Sequence, residues 1–340
     1  MRQKQEMRKG ESFSPYNPEE ELVVGIKKNG GWVNSHSHLD RAFTLTPDNY
    51  HLANSRLEQK WDLVDGLKRD STVGDIYGRM AHATEYMLEQ GVQAIGTFID
   101  VDGVVKDKNI KAAERLRSDY KDVDFVFVNQ ALKGILDKEH QEWFFEGSAF
   151  VDIIGGLPGK DRGRESEHID LLLDTAKAQG KRVHVHVDQL NDPTETETEL
   201  LAERTIAFGM EGRVTAIHGI SIAAHPESYR RSLYKKMKQA ELSVIVCPTA
   251  WIDSRRNETL TPTHNAVTPV EEMIQEGIVV SLGTDNIRDI YKPFSSGDMS
   301  IELKFLLESL HFYDQANLIE IASVNGLKTL GVGELSSLKV

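Results

Sequence analysis

The feature that most constrains this chain is a rhythm. From Trp32 onward, short runs rich in β-branched and aromatic residues end in polar or glycine-containing turns, and a longer amphipathic stretch follows each one. Eight such runs recur, at 31–38 (GWVNSHSH), 94–101 (AIGTFIDV), 124–130 (DFVFVNQ), 151–155 (VDIIG), 181–187 (KRVHVHV), 213–218 (RVTAIH), 242–247 (LSVIVC) and 278–282 (IVVSL). Strand-sized runs alternating with helix-sized stretches signal βα units and a parallel sheet. The pattern predicts helices over 75–90, 168–179, 195–208, 226–240 and 269–276, and three more over 299–310, 314–322 and 325–330. Some carry start signals, as in Thr268-Pro269-Val270-Glu271, where proline sits in the first turn.

Eight βα units over about 250 residues is the size of a closed (β/α)8 barrel. The expected class is therefore α/β, a TIM barrel over 31–340. Residues 1–30 are interrupted by Pro15, Pro18, Gly25 and Gly30 and read as a tail or edge element. A doubly wound open sheet is the alternative. No G-x-G-x-x-G follows the first run, which disfavours its dinucleotide-binding form.

Composition narrows the function classes. With 39% hydrophobic and 27% charged residues, the chain suits a soluble globular enzyme. No run of 18 apolar residues exists, so no membrane helix is expected, and the polar start MRQKQEMRKGESF lacks the apolar core of a secretion signal. Cys247 is the single cysteine, which excludes an internal disulfide and a cysteine-based zinc site and fits a reducing cytoplasm. A net charge of −13 argues against nucleic acid as a partner. The expected partner is a small-molecule substrate, with no membrane involved; a homo-oligomer is left open.

The chemistry sits at the ends of the runs. The first closes on His36-Ser37-His38, and residues two apart on a strand face the same way. Both histidines would face the barrel axis near its C-terminal mouth, where barrel active sites lie. Two neutral imidazoles so placed can share one divalent ion; two packed histidines are the plainer alternative. Other runs end alike: His184-Val185-His186 on the fifth, His218 on the sixth and Asp285 after the eighth. These residues converge on one point only if the sheet closes.

In these residues the chain resembles the amidohydrolase superfamily, in its single-metal, cytosine deaminase-like branch. The resemblance runs from about Trp32 to Leu330 and rests on HSHLDRAF at 36–43, FIDVDG at 98–103 and GTDNIRDIYKPFSSGDM at 283–299. It implies one divalent metal, zinc first with iron or manganese as alternatives, held by His36, His38, His186 and Asp285. It also implies that His218 contacts the substrate or the attacking hydroxide, and that His184 is not a ligand. The β-sandwich that usually flanks this family's barrel is expected to be reduced or absent. No lysine ends the fourth run, so a lysine-bridged pair of metals is not expected, and Lys133 reads as solvated or substrate-facing.

The main departure is Gln189. Deaminases of the branch carry glutamate three residues after the fifth-strand histidine, as a proton carrier; here the match is His186-Val187-Asp188-Gln189, and a glutamine amide cannot carry a proton. The expected activity is metal-dependent hydrolysis of a non-peptide C–N bond, in an amide, cyclic amide or substituted ring amine. A metal-generated hydroxide attacks, Asp285 serves as base, and Asp188 helps to return the proton. Asp40, Asn286, Asp289 and Tyr291 are candidate substrate contacts. Deamination of an amino-substituted heterocycle is the rival enzyme reading, and a ligand-binding protein without catalysis is the rival outside enzymes.

Overall fold

The computed structural model describes residues 15–252 and 265–333. Eight strands form one sheet in sequence order: β1 (Trp32–Asn34), β2 (Val92–Asp100), β3 (Asp124–Gln130), β4 (Ile153–Gly156), β5 (Arg182–Val187), β6 (Val214–His218), β7 (Ser243–Val246) and β8 (Val280–Leu282). Every neighbouring pair is parallel. The ring closes between β8 and β1: Ser35 N–H donates to the Leu282 carbonyl and Asp285 N–H to the His36 carbonyl, both at 2.9 Å, with a parallel bridge between Ser37 and Asp285. This is the (β/α)8 barrel that the alternation implies. Among the described residues, every strand belongs to this sheet, so no flanking β-sandwich is formed.

Alternation along the strands sorts the side chains into two cores. On β5, Val183, Val185 and Val187 join the large cluster between sheet and helices, which leaves His184 and His186 for the inside. The inner cluster is small, built from Val33, Phe98, Val128, Ile153, Ile217 and Ile245 and plugged by Leu330 from the helix Val324–Leu330. Barrel interiors of this kind are packed layers rather than pores, so a ligand has room only at the mouth.

The predicted helices match closely in place, from Val73–Glu89 to Met299–Leu310, with ends shifted by up to three residues. Two crossover helices, Lys108–Asp119 and Lys138–Phe150, lie where the apolar pattern is thin. The larger difference is at the start. Residues 18–28, within the stretch read as a tail or edge element, form a helix, Pro18–Lys28, that buries Leu22 and Ile26 and packs on the helix Gln315–Ala322. Its signals are local: the Asn17 side chain accepts from Glu19 N–H, Pro18 occupies the first turn, three glutamates follow and two lysines close the last turn. Reading prolines and glycines only as breakers hides it.

Candidate active site

The site lies beyond the C-terminal ends of the strands. β1 stops at Asn34, yet the chain stays extended beside β2, because Phe98 N–H donates to the Ser37 carbonyl at 2.8 Å and the Ser37 hydroxyl to the Gly96 carbonyl at 2.9 Å. That path carries His36 and His38 to the mouth. Asp285 Oδ1 lies 3.2 Å from Nε2 of His36 and 3.3 Å from Nε2 of His38. His36 also stands 4.9 Å from His186 and 5.7 Å from His218, centroid to centroid. Ligand atoms of His36, His38 and His186, and likewise of His36, His218 and Asp285, fall within 4.8 Å of one another. The structure thus brings His36, His38, His186, His218 and Asp285 to one place.

Two of these residues reach it through unusual backbone. His218 has φ 76° and Asp285 φ 58°, in the left-handed region that side chains with a Cβ avoid. For His218 the consequence is specific. Val214 and Ala216 point outward and Ile217 inward, so plain alternation would send residue 218 outward; the left-handed turn re-aims it toward His36. Strained backbone of this kind gathers at functional sites.

The protonation states suit cation binding. Burial holds His38 and His186 well below the usual imidazole range, and it brings His218 down to about 4. Burial opposes the charge of Asp285, but hydrogen bonds from His36 and His38 outweigh it and hold the carboxyl well below its ordinary value. Neutral imidazoles around a carboxylate at neutral pH are the donor set a divalent ion requires. His186 Nδ1 faces the Gly156 carbonyl at 3.3 Å, which fixes that nitrogen as the N–H and leaves Nε2 a lone pair. That Nε2 is buried with no partner, as is Nδ1 of His218. Buried polar atoms are rarely left so, and a cation at the centre would satisfy Nε2 of His186.

His184 sits one layer deeper. Its Nε2 lies 3.0 Å from the Thr329 carbonyl, and burial pushes its pKa down to about 3. Gln189, Asn286 and Tyr291 line the cavity at the mouth with His38, His186, His218 and Asp285. Asp289 stands behind them, accepting from the Asn286 amide and from the N–H groups of Tyr291 and Lys292. Asp40 does not line the cavity: its Oδ2 accepts from Asp100 N–H and from Asn109, beneath the loop. Asp188 is likewise occupied elsewhere, capping the helix Glu197–Phe208 by accepting from the N–H groups of Glu197 at 2.8 Å and Thr198 at 3.2 Å. Lys133 pairs with Asp62 and Asp65.

Sequence reasoning passed over Arg41, Gln130 and Trp61, all on the cavity wall. Trp61 comes from the helix Leu57–Leu63, in a β1–helix connection with no periodic signal. Arg41 and Gln130 sit at the end of HSHLDR and of the third run, and proximity to a strand's C-terminal end is the cue that would have found them.

Comparison with known proteins shows the family and the fold. The sequence pattern of the Amidohydrolase family matches residues 108–322. An uncharacterized protein of Haemophilus influenzae is 53% identical over 258 residues, 74% of this chain and 93% of that protein. The N-isopropylammelide isopropyl amidohydrolase of Pseudomonas sp. (strain ADP) is 26% identical over 283 residues, 79% of this chain but 65% of its own length. Among solved structures, 5-methylcytosine deaminase from Klebsiella pneumoniae liganded with 5-fluorocytosine shares the fold at TM-score 0.81 and 24% identity, over 89% of this chain and 75% of that one.

Proposed function

The chain belongs to the amidohydrolase family, and from that premise we propose that it hydrolyses a C–N bond of a small heterocyclic or amide substrate at a single divalent metal. The observation that carries the reading is the convergence of His36, His38, His186 and Asp285, three imidazoles and one carboxylate, at the barrel mouth. These four would hold the ion, with zinc favoured over iron or manganese because the set is imidazole-rich. When bound, such an ion supplies Lewis acidity and makes water a competent nucleophile near neutral pH.

The chain's own residues supply the rest. Asp285 accepts the proton that water loses as its oxygen adds to the sp² carbon. His218, neutral at working pH, hydrogen-bonds the oxygen on which charge develops. Asp285 then delivers the proton to the departing nitrogen, the C–N bond breaks, and the product keeps the oxygen. Gln189, on the cavity wall, orients the substrate without exchanging a proton. Trp61, Leu132 and Leu157 give the cavity apolar faces suited to a flat ring.

Gln189 favours amide, cyclic amide or substituted ring-amine hydrolysis over deamination of an aminopyrimidine, because the latter needs an additional proton carrier. The test is elemental analysis of the purified protein followed by a panel of amides, cyclic amides, ureas and ring amines, run on wild type and Asp285→Asn. Hydrolysis that Asp285→Asn lowers by about 10²-fold or more is expected. A metal-loaded protein inert across the panel would refute the reading, as would full activity after chelation.

A further inference from the structure

The orientation of His186 is set by a peptide group, and that peptide is held in turn from behind. The carbonyl of Gly156, the last residue of β4, faces Nδ1 of His186 at 3.3 Å. The other half of the same peptide group, Leu157 N–H, donates to Nε2 of His168 at 3.1 Å. Nδ1 of His168 lies 2.7 Å from Oδ2 of Asp161, which also accepts from Ile135 N–H at 2.9 Å. His168 comes from the helix Glu165–Gln179 and is fully buried, and Asp161 ends the short helical turn Pro158–Asp161 that leads into it. Neither residue lines the catalytic cavity.

These contacts fix each proton in the row. Nε2 of His168 accepts, so it carries no hydrogen, and the imidazole is neutral with its proton on Nδ1, aimed at Asp161. Burial holds His168 below the usual imidazole range, which suits that state. Burial opposes the charge of Asp161, but hydrogen bonds from His168 and from Ile135 N–H outweigh it and hold the carboxyl below its ordinary value. Gly134 lets this carboxylate approach, since a Cβ there would stand 2.6 Å from its Oδ1. The row therefore runs from donor to acceptor in one direction, from His186 through the peptide and His168 to a buried anion.

A hydrogen bond to the second nitrogen of a ligating imidazole fixes its tautomer and raises its basicity. Aligned hydrogen bonds polarise one another, and a charge at the acceptor end strengthens the row. We propose that Asp161 and His168 are positioning residues that act on His186 through the Gly156–Leu157 peptide, holding its Nδ1–H and making its Nε2 a stronger donor to a divalent cation. This goes one step outward from the proposed metal site and rests on it. A pair that only tied β4 to the next helix would leave metal affinity unchanged.

The test reads zinc affinity of the full chain, by competition with a chromophoric chelator, together with the visible spectrum of the cobalt(II)-loaded protein. His168→Leu removes the acceptor for Leu157 N–H, and Asp161→Asn removes the charge while keeping an oxygen for His168 and Ile135. His168→Leu should weaken zinc binding by about tenfold or more and Asp161→Asn by about threefold or more, both with shifted cobalt bands. His184→Ala breaks a buried hydrogen bond elsewhere in the barrel and should change neither reading. Should His168→Leu fail to fold, Asp161→Asn decides. Smaller losses, an unchanged cobalt spectrum, or an equal loss in His184→Ala would overturn the pair. A wild type that binds no zinc would refute the metal-dependent reading and the pair with it. One that binds zinc and shows these losses yet hydrolyses nothing in the panel would refute the proposed activity and keep the pair.

Discussion

The backbone N–H of Asp285 donates to the carbonyl of His36 at 2.9 Å, and the side chains of the same two residues meet again at 3.2 Å, Oδ1 to Nε2. Closing the barrel and assembling the site are therefore one contact. Gly283 makes it possible. A Cβ there would stand 2.8 Å from both the Cβ and the carbonyl oxygen of His36 and 3.0 Å from its nitrogen, and backbone atoms cannot swing aside. Gly283→Ala should thus cost roughly 1–3 kcal/mol, as overpacking does, and lower metal content with it. Thermal unfolding with and without added zinc checks this. A variant that keeps both the wild-type Tm and the wild-type metal content would show that the seam between β8 and β1 yields more easily than its distances imply.

His184 and His186 share one strand face but different fates. His186 turns its free Nε2 into the cluster, whereas His184 is committed to the Thr329 carbonyl. His186→Ala should strip the metal and abolish activity with it. His184→Ala should keep the metal and instead destabilise the protein by about 1–3 kcal/mol, the range for breaking a buried hydrogen bond. Metal stoichiometry and urea unfolding of the two variants separate these outcomes. The reverse pattern would mean that the binding layer lies one step deeper in the barrel.

Strand-end chemistry was readable because β structure has a strict period. Val-His-Val-His-Val on β5 announces which residues face inward, and the sequence order of the strands leaves one simple closed ring. What the period could not reveal depends on departures from it. His218 has outward parity and is useful only through its left-handed backbone. Asp40 and Asp188 look like site residues by position, yet the N–H groups of Asp100, Glu197 and Thr198 take their carboxylates. Arg41 is held on the cavity wall by Asp100, itself paired with Lys68, and both are distant in sequence. The helix Pro18–Lys28 was legible from its caps alone, had they been weighed above its prolines and glycines.

Two half-buried glutamates beside Asp188 give the stability a pH dependence. Burial, aided by the charges of Asp188 and Glu195, pushes Glu197 up to about 8, and burial with Asp188 pushes Glu195 up to about 7. Both have raised folded-state values against an ordinary value of 4.5, so between those limits the folded state holds more protons than the unfolded. Their contribution is complete at low pH and is lost as pH rises through about 7 to 8. Stability should therefore decline as pH rises from 5 to 8.5. Tm measured across that range should fall more steeply for wild type than for Glu197→Gln. Parallel curves would remove these carboxyls from the account.

The role proposed for Gln189 bears on the class of reaction. Deaminating an aminopyrimidine calls for a proton on a ring nitrogen as oxygen adds and another on the leaving ammonia. A carboxyl group beside the site would serve both steps, worth roughly 10²–10⁴-fold, or about 3–5 kcal/mol in barrier. Gln189 occupies the wall where such a group would act, and a glutamine amide carries no proton. Its neighbour Asp188 is no substitute, since the first N–H groups of the helix Glu197–Phe208 hold its carboxylate and its own φ of 51° fixes that direction. Wild type should therefore be slow on cytosine and faster on cyclic amides or N-substituted ring amines, where Asp285 alone can shuttle the proton. Gln189→Glu should leave metal content unchanged and raise deamination by about tenfold or more, part of the range that proton transfer contributes. Steady-state kinetics of both proteins on both substrate types provides the check. A wild-type kcat on cytosine in the ordinary range of roughly 1–10³ s⁻¹ would mean that another group moves the second proton. Asp285, which already faces His36 and His38, would then be the residue whose pH–rate profile must show two transfers rather than one.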